Sequence, residues 1–450
     1  MALSGIQIFK LTPKKNCKEC GLPTCMAFSM KVASGAKDIS ECPHMSEDAL
    51  AQLSEATAPP MKTIKVGAGE SEHSLGGETV LYRHEKTFVS KTLYAAKICS
   101  CMDDAEIDAA LAAVPVVDYE RIGERMYTEM IYVNEKPGTD PAKYAEIAKK
   151  AAAVRPVILG CKEEAAAKAA LDAIADTKPV LNGADASNYE AMSKLAADAG
   201  VVLGVSGASV EELYDTVAAL EKLGNKNLIL DVTMDSIKAT FEAAVLVRRT
   251  ALKDGDRTFG YPSIVNVAAL ADDAVMQQAL VSLFTVKYGS IVVIDKMDYA
   301  TALPLYGLRQ NLFTDPQKPM KVQPGIYPIN GADENSVCIT TVDFALTYFL
   351  VSGELERSGV PCNLLISDAG GLSVLTAWAA GKLSSTSIAN FIASEVEGKV
   401  KNRTLIIPGK VAVLKGDLES KLPGWKIVIA PLEAVQLVKF LKDLQASGEI

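Results

Sequence analysis

The chain has 450 residues, 49% of them apolar, with 46 basic against 55 acidic side chains and a formal net charge of -9. That length exceeds one ordinary core and predicts roughly two to four domains, while the acidic balance removes the general electrostatic attraction that a nucleic acid needs. No run approaches the roughly eighteen apolar residues that span a bilayer, and the first residues lack a charged-then-apolar leader, so the expectation is a cytoplasmic protein with no nucleic-acid or membrane partner.

Residues 1–57 read as a small domain. An apolar start (Ile6, Ile8, Phe9) leads into Asn16-Cys17-Lys18-Glu19-Cys20-Gly21-Leu22-Pro23-Thr24-Cys25 and, after sixteen more residues, Cys42-Pro43. Four thiols crowded together outside a disulfide-rich context read first as metal ligands. A four-cysteine zinc site usually arrives as two Cys-x-x-Cys pairs; here one such pair is followed by a third Cys and a distant Cys-Pro, an ending that resembles bacterial ferredoxins. Cys17, Cys20, Cys25 and Cys42 are therefore expected to hold a 4Fe-4S cluster, with zinc as the alternative. Gly21 and Pro23 let the backbone turn tightly and aim N–H groups at cluster sulfurs. Lys14, Lys15 and Lys18 either stabilise the thiolates or form a solvated face. A helix over Met26–Ala36 is expected, then a second capped by Ser46 with Ala49, Leu50 and Leu53 on its apolar side. So small a domain needs its metal as a staple.

Residues 58–91 change to Ala, Pro and Gly and read as a tether with a short strand at Lys62 to Val66, or as an ordered loop laid over the next domain. Over the twenty-odd residues from Thr57 to Gly77, where the composition changes, a flexible chain has a root-mean-square span of roughly 25 Å. From 92 to 311 eight apolar strands alternate with Ala-rich helices: Tyr94–Cys99, Met130–Val133, Pro156–Leu159, Pro179–Leu181, Val201–Gly204, Leu228–Asp231, Ser263–Asn266 and Ser290–Val293. Helical spacing is clear in Glu211–Leu223 and Asp235–Leu252. The order predicts a (β/α)8 TIM barrel, with an open doubly wound sheet as alternative. Its C-terminal strand ends carry Asn182, Asp231, Asn266 and Asp295, a set that resembles a pterin-binding barrel's polar floor. Polar strand ends are also common in barrels with no activity, and a scaffold is the expectation here. The three histidines are His44, His73 and His84, so from Glu85 onward no histidine base, ligand or triad is possible. Cys99, Cys101, Cys161, Cys338 and Cys362 read as small, reduced core residues.

Residues 312–335 hold Pro316, Pro319, Pro324 and Pro328 and read as a second linker. The last domain, 336–450, alternates again: strands Val337–Thr341, Asn363–Ser367, Thr404–Ile407, Val411–Leu414 and Trp425–Ala430, with helices Asp343–Arg357, Val374–Leu383, one capped by Ser384, and Leu432–Leu444. That order predicts a small doubly wound, Rossmann-like sheet, which binds ligands beyond its C-terminal strand ends where strand order reverses. The loops there are Thr340-Thr341, Asp368 to Ser373, Pro408-Gly409 and Pro431 to Glu433. Gly370-Gly371 admits a ligand close to the backbone, and Ser373 with the helix after it offers donors, although a Gly-Gly turn is often geometry alone. No GxGxxG is present, so a dinucleotide is not the first candidate.

As a whole the chain resembles the large (gamma) subunit of the corrinoid iron-sulfur protein of the reductive acetyl-CoA (Wood-Ljungdahl) pathway of carbon fixation. The resemblance rests on the four-cysteine pattern, on Gly76 to Phe88 entering the barrel, and on the loop Asp368 to Ser373. It implies a methyl carrier, a methyltransferase component and not a stand-alone enzyme. Cobalt of a corrinoid (cobalamin-type) takes a methyl group from methyltetrahydrofolate through a methyltransferase and gives it to acetyl-CoA synthase/CO dehydrogenase, while the cluster returns Co(II) to Co(I). The implied partners are a small subunit forming a heterodimer, those two enzymes and a reducing donor such as ferredoxin. The resemblance places Thr340, Leu346, Gly370, Gly371, Leu372, Ser373 and Glu433 against the corrinoid, in a domain with no histidine to ligate cobalt. It names no catalytic residue. An iron-sulfur flavoprotein electron carrier and a zinc-stabilised scaffold subunit are the alternatives.

Overall fold

The computed structural model describes residues 4–33, 37–46, 49–50, 60–315 and 320–450. The chain divides into two units, Met1–Asp118 with Met126–Phe313, and Tyr119–Arg125 with Thr314–Ile450. Among the described residues no helix is long and apolar enough to cross a membrane.

The first unit opens with helix Gly5–Leu11, capped by Ser4 and Gln7 reciprocally, and helix Cys25–Ala33. Ile8, Phe28, Val32, Ile39, Cys42, Met45 and Ala49 form a small core, so two of the expected metal ligands, Cys42 and the partly buried Cys20 beside it, belong to this packing. The hydroxyl of Ser46 accepts the Ala49 N–H at 3.3 Å, as a helix cap there requires; residues 34–36 of the first expected helix and Leu53 of the second lie outside the described residues.

Of the two readings of 58–91, the ordered one holds over 60–76. Strands β1 (Thr63–Val66) and β2 (His73–Gly76) form an antiparallel hairpin. Lys62 N–H donates to Gly260 O at 2.7 Å and Gly67 N–H to Lys178 O at 3.1 Å, in loops that precede barrel strands. The Lys62 ammonium meets Glu221 Oε1 at 2.6 Å and the Tyr261 hydroxyl. Backbone donors that a tether would leave to water are thus satisfied by the barrel's N-terminal face.

The barrel strands are β3 (Leu93–Cys99), then, after an inserted hairpin of β4 (Asp118–Arg121) and β5 (Glu124–Tyr127), β6 (Met130–Asn134), β7 (Val157–Gly160), β8 (Val180–Ala184), β9 (Val202–Val205), β10 (Leu228–Asp231), β11 (Ser263–Asn266) and β12 (Ile291–Ile294). All eight are parallel, pair in chain order, and close β12 on β3. Runs such as Ile291 to Ile294 are buried throughout, as strands covered on both faces must be. At the N-terminal end Glu129 and Arg309 form a buried ion pair of 2.6 Å, and the other carboxylate oxygen accepts the Tyr94 N–H at 3.0 Å. The β4–β5 hairpin was not anticipated; its turn places Ile122 and Gly123 at φ 51° and 69°, and a β-branched residue there carries no turn signal.

One expectation about cysteine fails. Cys99 and Cys101 form a disulfide at the C-terminal end of β3, across a single intervening residue. Cys161, Cys338 and Cys362 are buried free thiols, as expected.

The second unit is a five-stranded sheet. Its strands are β13 (Gly325–Ile329), β14 (Val337–Val342), β15 (Cys362–Ser367), β16 (Thr404–Ile407) and β17 (Lys426–Ile429), in the order β13-β15-β14-β16-β17. The last four are parallel and β13 is an antiparallel edge. One face packs Ile388, Ile392 and Leu418 against the sheet, the other Leu355, Leu437 and Leu441, so the sheet is doubly wound. Part of the expected 312–335 linker is therefore sheet: Pro328 is tolerated because β13 is an edge strand. The expected strand Val411–Leu414 is instead a 3-10 turn over Gly409–Leu414, because the chain at Gly409 runs so close to Ala430 O that a Cβ would sit 2.3 Å from it. The closing helix begins at Leu437, after a short turn, and not at Leu432.

Candidate functional site

The loop of the first unit brings all four cysteines to one small cavity, which Cys17, Cys20, Cys25 and Cys42 line together. Lys14, Asn16, Lys18 and Gly21 have φ of 57°, 49°, 66° and 77°, a left-handed alternation that curls the backbone. Asn16 ties the loop to the helix behind it: its N–H points at Cys25 Sγ from 3.4 Å, and its Oδ1 accepts the Cys25 N–H at 2.8 Å. An N–H aimed at a ligand sulfur lowers the charge density a bound metal sees. A second donor set overlaps the first, since Cys17, Glu19 and His44 place one ligand atom each within 4.8 Å of the others.

In the second unit the chain leaves β14 toward β15 on one side and reaches β16 on the other, so strand order reverses between β14 and β16. A cleft of about 240 Å³ opens there, lined among others by Thr340, Thr341, Ser373, Gly409, Lys410 and Glu433. Thr340 and Thr341 are each only 2% exposed, and neither hydroxyl has a hydrogen-bond partner in the chain. Burying a hydroxyl without a partner costs free energy, so two adjacent ones at a switch point mark a surface shaped for something that supplies the bonds. The same cleft is bordered by Leu350, Leu375 and Leu432, which are large, apolar and exposed. Lys410 and Glu433 form an exposed ion pair of 3.4 Å at its mouth.

The other sequence-derived positions divide. Gly370 and Gly371 have φ of 69° and 73°, which an L side chain adopts only with strain. Leu372 packs on the core beneath the loop. Ser373 lines the cleft, but its hydroxyl is already shared with Thr376 at 3.0 Å. Leu346, which a helix interior would ordinarily bury, is exposed near the start of helix Ala345–Ser358 and is not among the cleft's lining residues. Asp343 was not anticipated. Fully buried after β14, it accepts the N–H groups of Ala369 and Gly371 on one oxygen, at 2.9 and 3.0 Å, and so holds the Gly-Gly loop in place. The sequence signal was an acid directly following a strand that is buried along its whole length. Asp368 accepts the Gly370 N–H, which with Lys321 nearby holds its carboxyl below the usual range.

At the barrel mouth Asn182, Asp231 and Asn266 come together around Tyr132, while Asp295 is engaged elsewhere by Lys97 at 3.1 Å and Gln277 at 2.6 Å.

A family model described as "CO dehydrogenase/acetyl-CoA synthase delta subunit" matches residues 63–441, and one described as "Putative Fe-S cluster" matches residues 13–44, a span that contains all four cysteines. The chain is 39% identical over 451 residues to the corrinoid/iron-sulfur protein large subunit of Moorella thermoacetica, with 99% of this chain and 100% of that one covered. It is 33% identical over 455 residues to the acetyl-CoA decarbonylase/synthase complex subunit gamma of Methanopyrus kandleri, with 98% and 97% covered. To the corresponding gamma subunit of Methanothermobacter thermautotrophicus it is 31% identical over 458 residues, with 99% of each covered.

Proposed function

This chain belongs to the family of corrinoid/iron-sulfur protein large subunits, and from that premise we propose that it is a methyl carrier, holding a corrinoid in its second unit and a 4Fe-4S cluster on Cys17, Cys20, Cys25 and Cys42. When bound, the corrinoid supplies a cobalt that takes up and gives away a methyl group, and the cluster supplies the electron that keeps that cobalt reduced. The methyl group comes from methyltetrahydrofolate through a separate methyltransferase and goes to acetyl-CoA synthase, with a small subunit completing a heterodimer and a ferredoxin-type donor feeding the cluster.

The observation that carries the reading is the pair of buried, unpartnered hydroxyls of Thr340 and Thr341 in the switch-point cleft. A corrinoid is a broad, nearly flat ring with amide arms and a nucleotide tail. The cleft is too small for the ring but suits an arm or tail, and the exposed Leu350, Leu375 and Leu432 around it suit the ring's apolar face. Thr340 and Thr341 bind by donating and accepting hydrogen bonds, Gly370 and Gly371 keep the backbone low where the ring lies, and Ser373 and Glu433 border the arm. Leu346 extends the apolar rim, while Leu372 supports the loop from below. The second unit contains no histidine, so it supplies no imidazole to the metal and holds the cofactor by its edges.

In the first unit four thiolates around one cavity fit an iron-sulfur cluster, and the overlapping Cys17, Glu19 and His44 set favours zinc as the second reading. Metal analysis of the chain purified with its small subunit separates these. Cobalt with iron and sulfide is the expected result; flavin absorbance without cobalt, or zinc without iron, overturns the proposal. Replacing both hydroxyls, Thr340→Val with Thr341→Val, keeps the shape and should weaken cobalt retention on dialysis by about tenfold or more, two hydrogen bonds at about 1 kcal/mol each. Undiminished retention would remove the cleft from the site. Cys20→Ala should lose the cluster's spectroscopic signal while cobalt content persists.

A further inference from the structure

We propose that Lys14, Lys15 and Lys18 form the docking rim for a small acidic electron-carrier protein, which delivers its electron at the Cys17 corner of the four-cysteine site. This rests on the cluster reading above and adds to it where the donor binds and which charge its surface carries.

The four cysteines are not equally reachable. Cys25 and Cys42 are 8% and 7% exposed, Cys20 is half-buried and Cys17 is exposed. Electron transfer slows steeply as donor and acceptor separate, so a donor protein has to come to Cys17. All three lysines lie within three residues of it and are exposed, and Lys18 lines the cysteine cavity itself.

Their charge is left uncancelled. Among the described residues none of the three has an acidic partner: Lys14 lies over the Phe9 ring at 5.7 Å, and Glu19, the one acid between Lys10 and Thr24, is engaged by His44 at 3.1 Å. In the same small domain Lys37 is paired with Glu41, so pairing is available where the surface has another use for it. Lys14 and Lys18 also hold left-handed backbone, with φ of 57° and 66°, where asparagine or glycine would serve the turn with less strain. The turn alone therefore gives no reason for lysine. A free phosphate needs enclosed donors, whereas neighbouring exposed cations fit a broad surface of opposite sign. The chain carries -9 overall, but at physiological ionic strength a charge is screened over about 8 Å, so an approaching acidic surface responds to the lysines beside Cys17 more than to distant carboxylates. Met26, 37% exposed and directly after Cys25, supplies an apolar contact of the kind found at protein interfaces. Encounters between redox proteins bury less than about 1,200 Å², an area within reach of a small domain.

The test uses the full chain purified with its small subunit and an acidic flavodoxin as its hydroquinone. One electron leaves the hydroquinone, which becomes the coloured semiquinone, and arrives on the oxidised cluster. Calorimetry reads binding, semiquinone absorbance reads the rate, and the methyl viologen radical cation serves as a reductant that needs no basic rim. Lys14→Gln with Lys15→Gln and Lys18→Gln should weaken binding and slow semiquinone formation by about tenfold at about 20 mM salt, with the difference gone at about 0.5 M. Viologen should reduce this variant no more slowly than the parent. If the triple variant does not fold, Lys15→Gln with Lys18→Gln, which keeps Lys14 on Phe9, should show about fivefold, and binding to the unaltered chain should weaken about tenfold over the same salt range. Binding indifferent to salt and to the substitutions overturns the proposal and leaves the cluster reading intact. Equal slowing with viologen also overturns it, because the lysines would then tune the cluster and not the encounter. Unchanged binding with slower passage of electrons from cluster to cobalt overturns it as well, by turning the rim toward the complex itself. A chain without iron and sulfide fails the cluster reading, and this proposal with it.

Discussion

Replacing Asp343 by alanine should loosen the Gly-Gly loop that follows β15 in the second unit. Its Oδ1 accepts two backbone N–H groups, from Ala369 at 2.9 Å and Gly371 at 3.0 Å, and the side chain is fully buried. A hydrogen bond to a charged group contributes about 1.5–3 kcal/mol, so two give an upper bound of about 3–6 kcal/mol. The freed N–H groups recover some water because residues 368 and 370 of the loop reach the surface, which brings the expected loss to about 3 kcal/mol. Asp343→Asn keeps a carbonyl acceptor of the same shape and should cost only about 1 kcal/mol. Both tryptophans, Trp378 and Trp425, lie in this unit, so their fluorescence during urea unfolding reports it without interference from the barrel. With a slope of about 1.5–2 kcal/mol per molar urea, the alanine variant's midpoint should fall by about 1.5–2 M and the asparagine variant's by about 0.5 M. An alanine variant within about 0.5 kcal/mol of the parent would show that the loop stands without this carboxylate, as would asparagine and alanine costing the same.

Gly371→Val places a β-branched residue at φ 73° against a buried backbone, so it should cost about 1–2 kcal/mol in strain and cut cobalt content; unchanged cobalt in a folded variant would move the cofactor away from this loop. Burial raises the Asp231 carboxyl above its ordinary 3.8. The folded chain therefore keeps a proton that the unfolded chain releases. Stability from this group is present at low pH and is lost as pH rises from that ordinary value through the raised one. The gap in stability between Asp231→Asn and the parent should shift in the variant's favour as pH rises above the ordinary 3.8, followed by circular dichroism of thermal unfolding; a gap independent of pH would place the carboxyl in ordinary surroundings. Thiol titration of denatured, metal-stripped protein without reductant should count seven free thiols, since Cys99 and Cys101 are joined, and nine would show them reduced.

The eight barrel strands were legible because each is a short apolar run buried on both faces, and each observed strand lies within three residues of the expected one. In the second unit the strands β14 to β17 were legible for the same reason, whereas their order in the sheet was not read from the sequence. What misled was composition where packing overrode it. Residues 62–76 are rich in Gly and Ser and read as tether or ordered loop alike, yet the Lys62 and Gly67 N–H groups find barrel carbonyls. Pro328 reads as linker, yet an edge strand needs only half its donors. Val411 to Leu414 reads as strand, yet contact of Gly409 with the end of β17 bends it into a turn. Cys99 and Cys101 read as core because spacing of two says nothing about whether two sulfurs face each other.

The sequence by itself determined the local matters: which segments form the eight barrel strands, which four cysteines belong together, that no histidine serves the last four-fifths of the chain, and which loops lie at C-terminal strand ends. These follow from period, spacing and residue type, which are properties of neighbours along the chain. Only the tertiary structure decided which distant groups meet. It left the Thr340 and Thr341 hydroxyls without partners in a cleft, joined Asp343 to a loop 26 to 28 residues away, and set Asn182 against Asp231 across 49 residues. A hydrogen bond depends on distance in space, and no period or composition encodes that until the strands close.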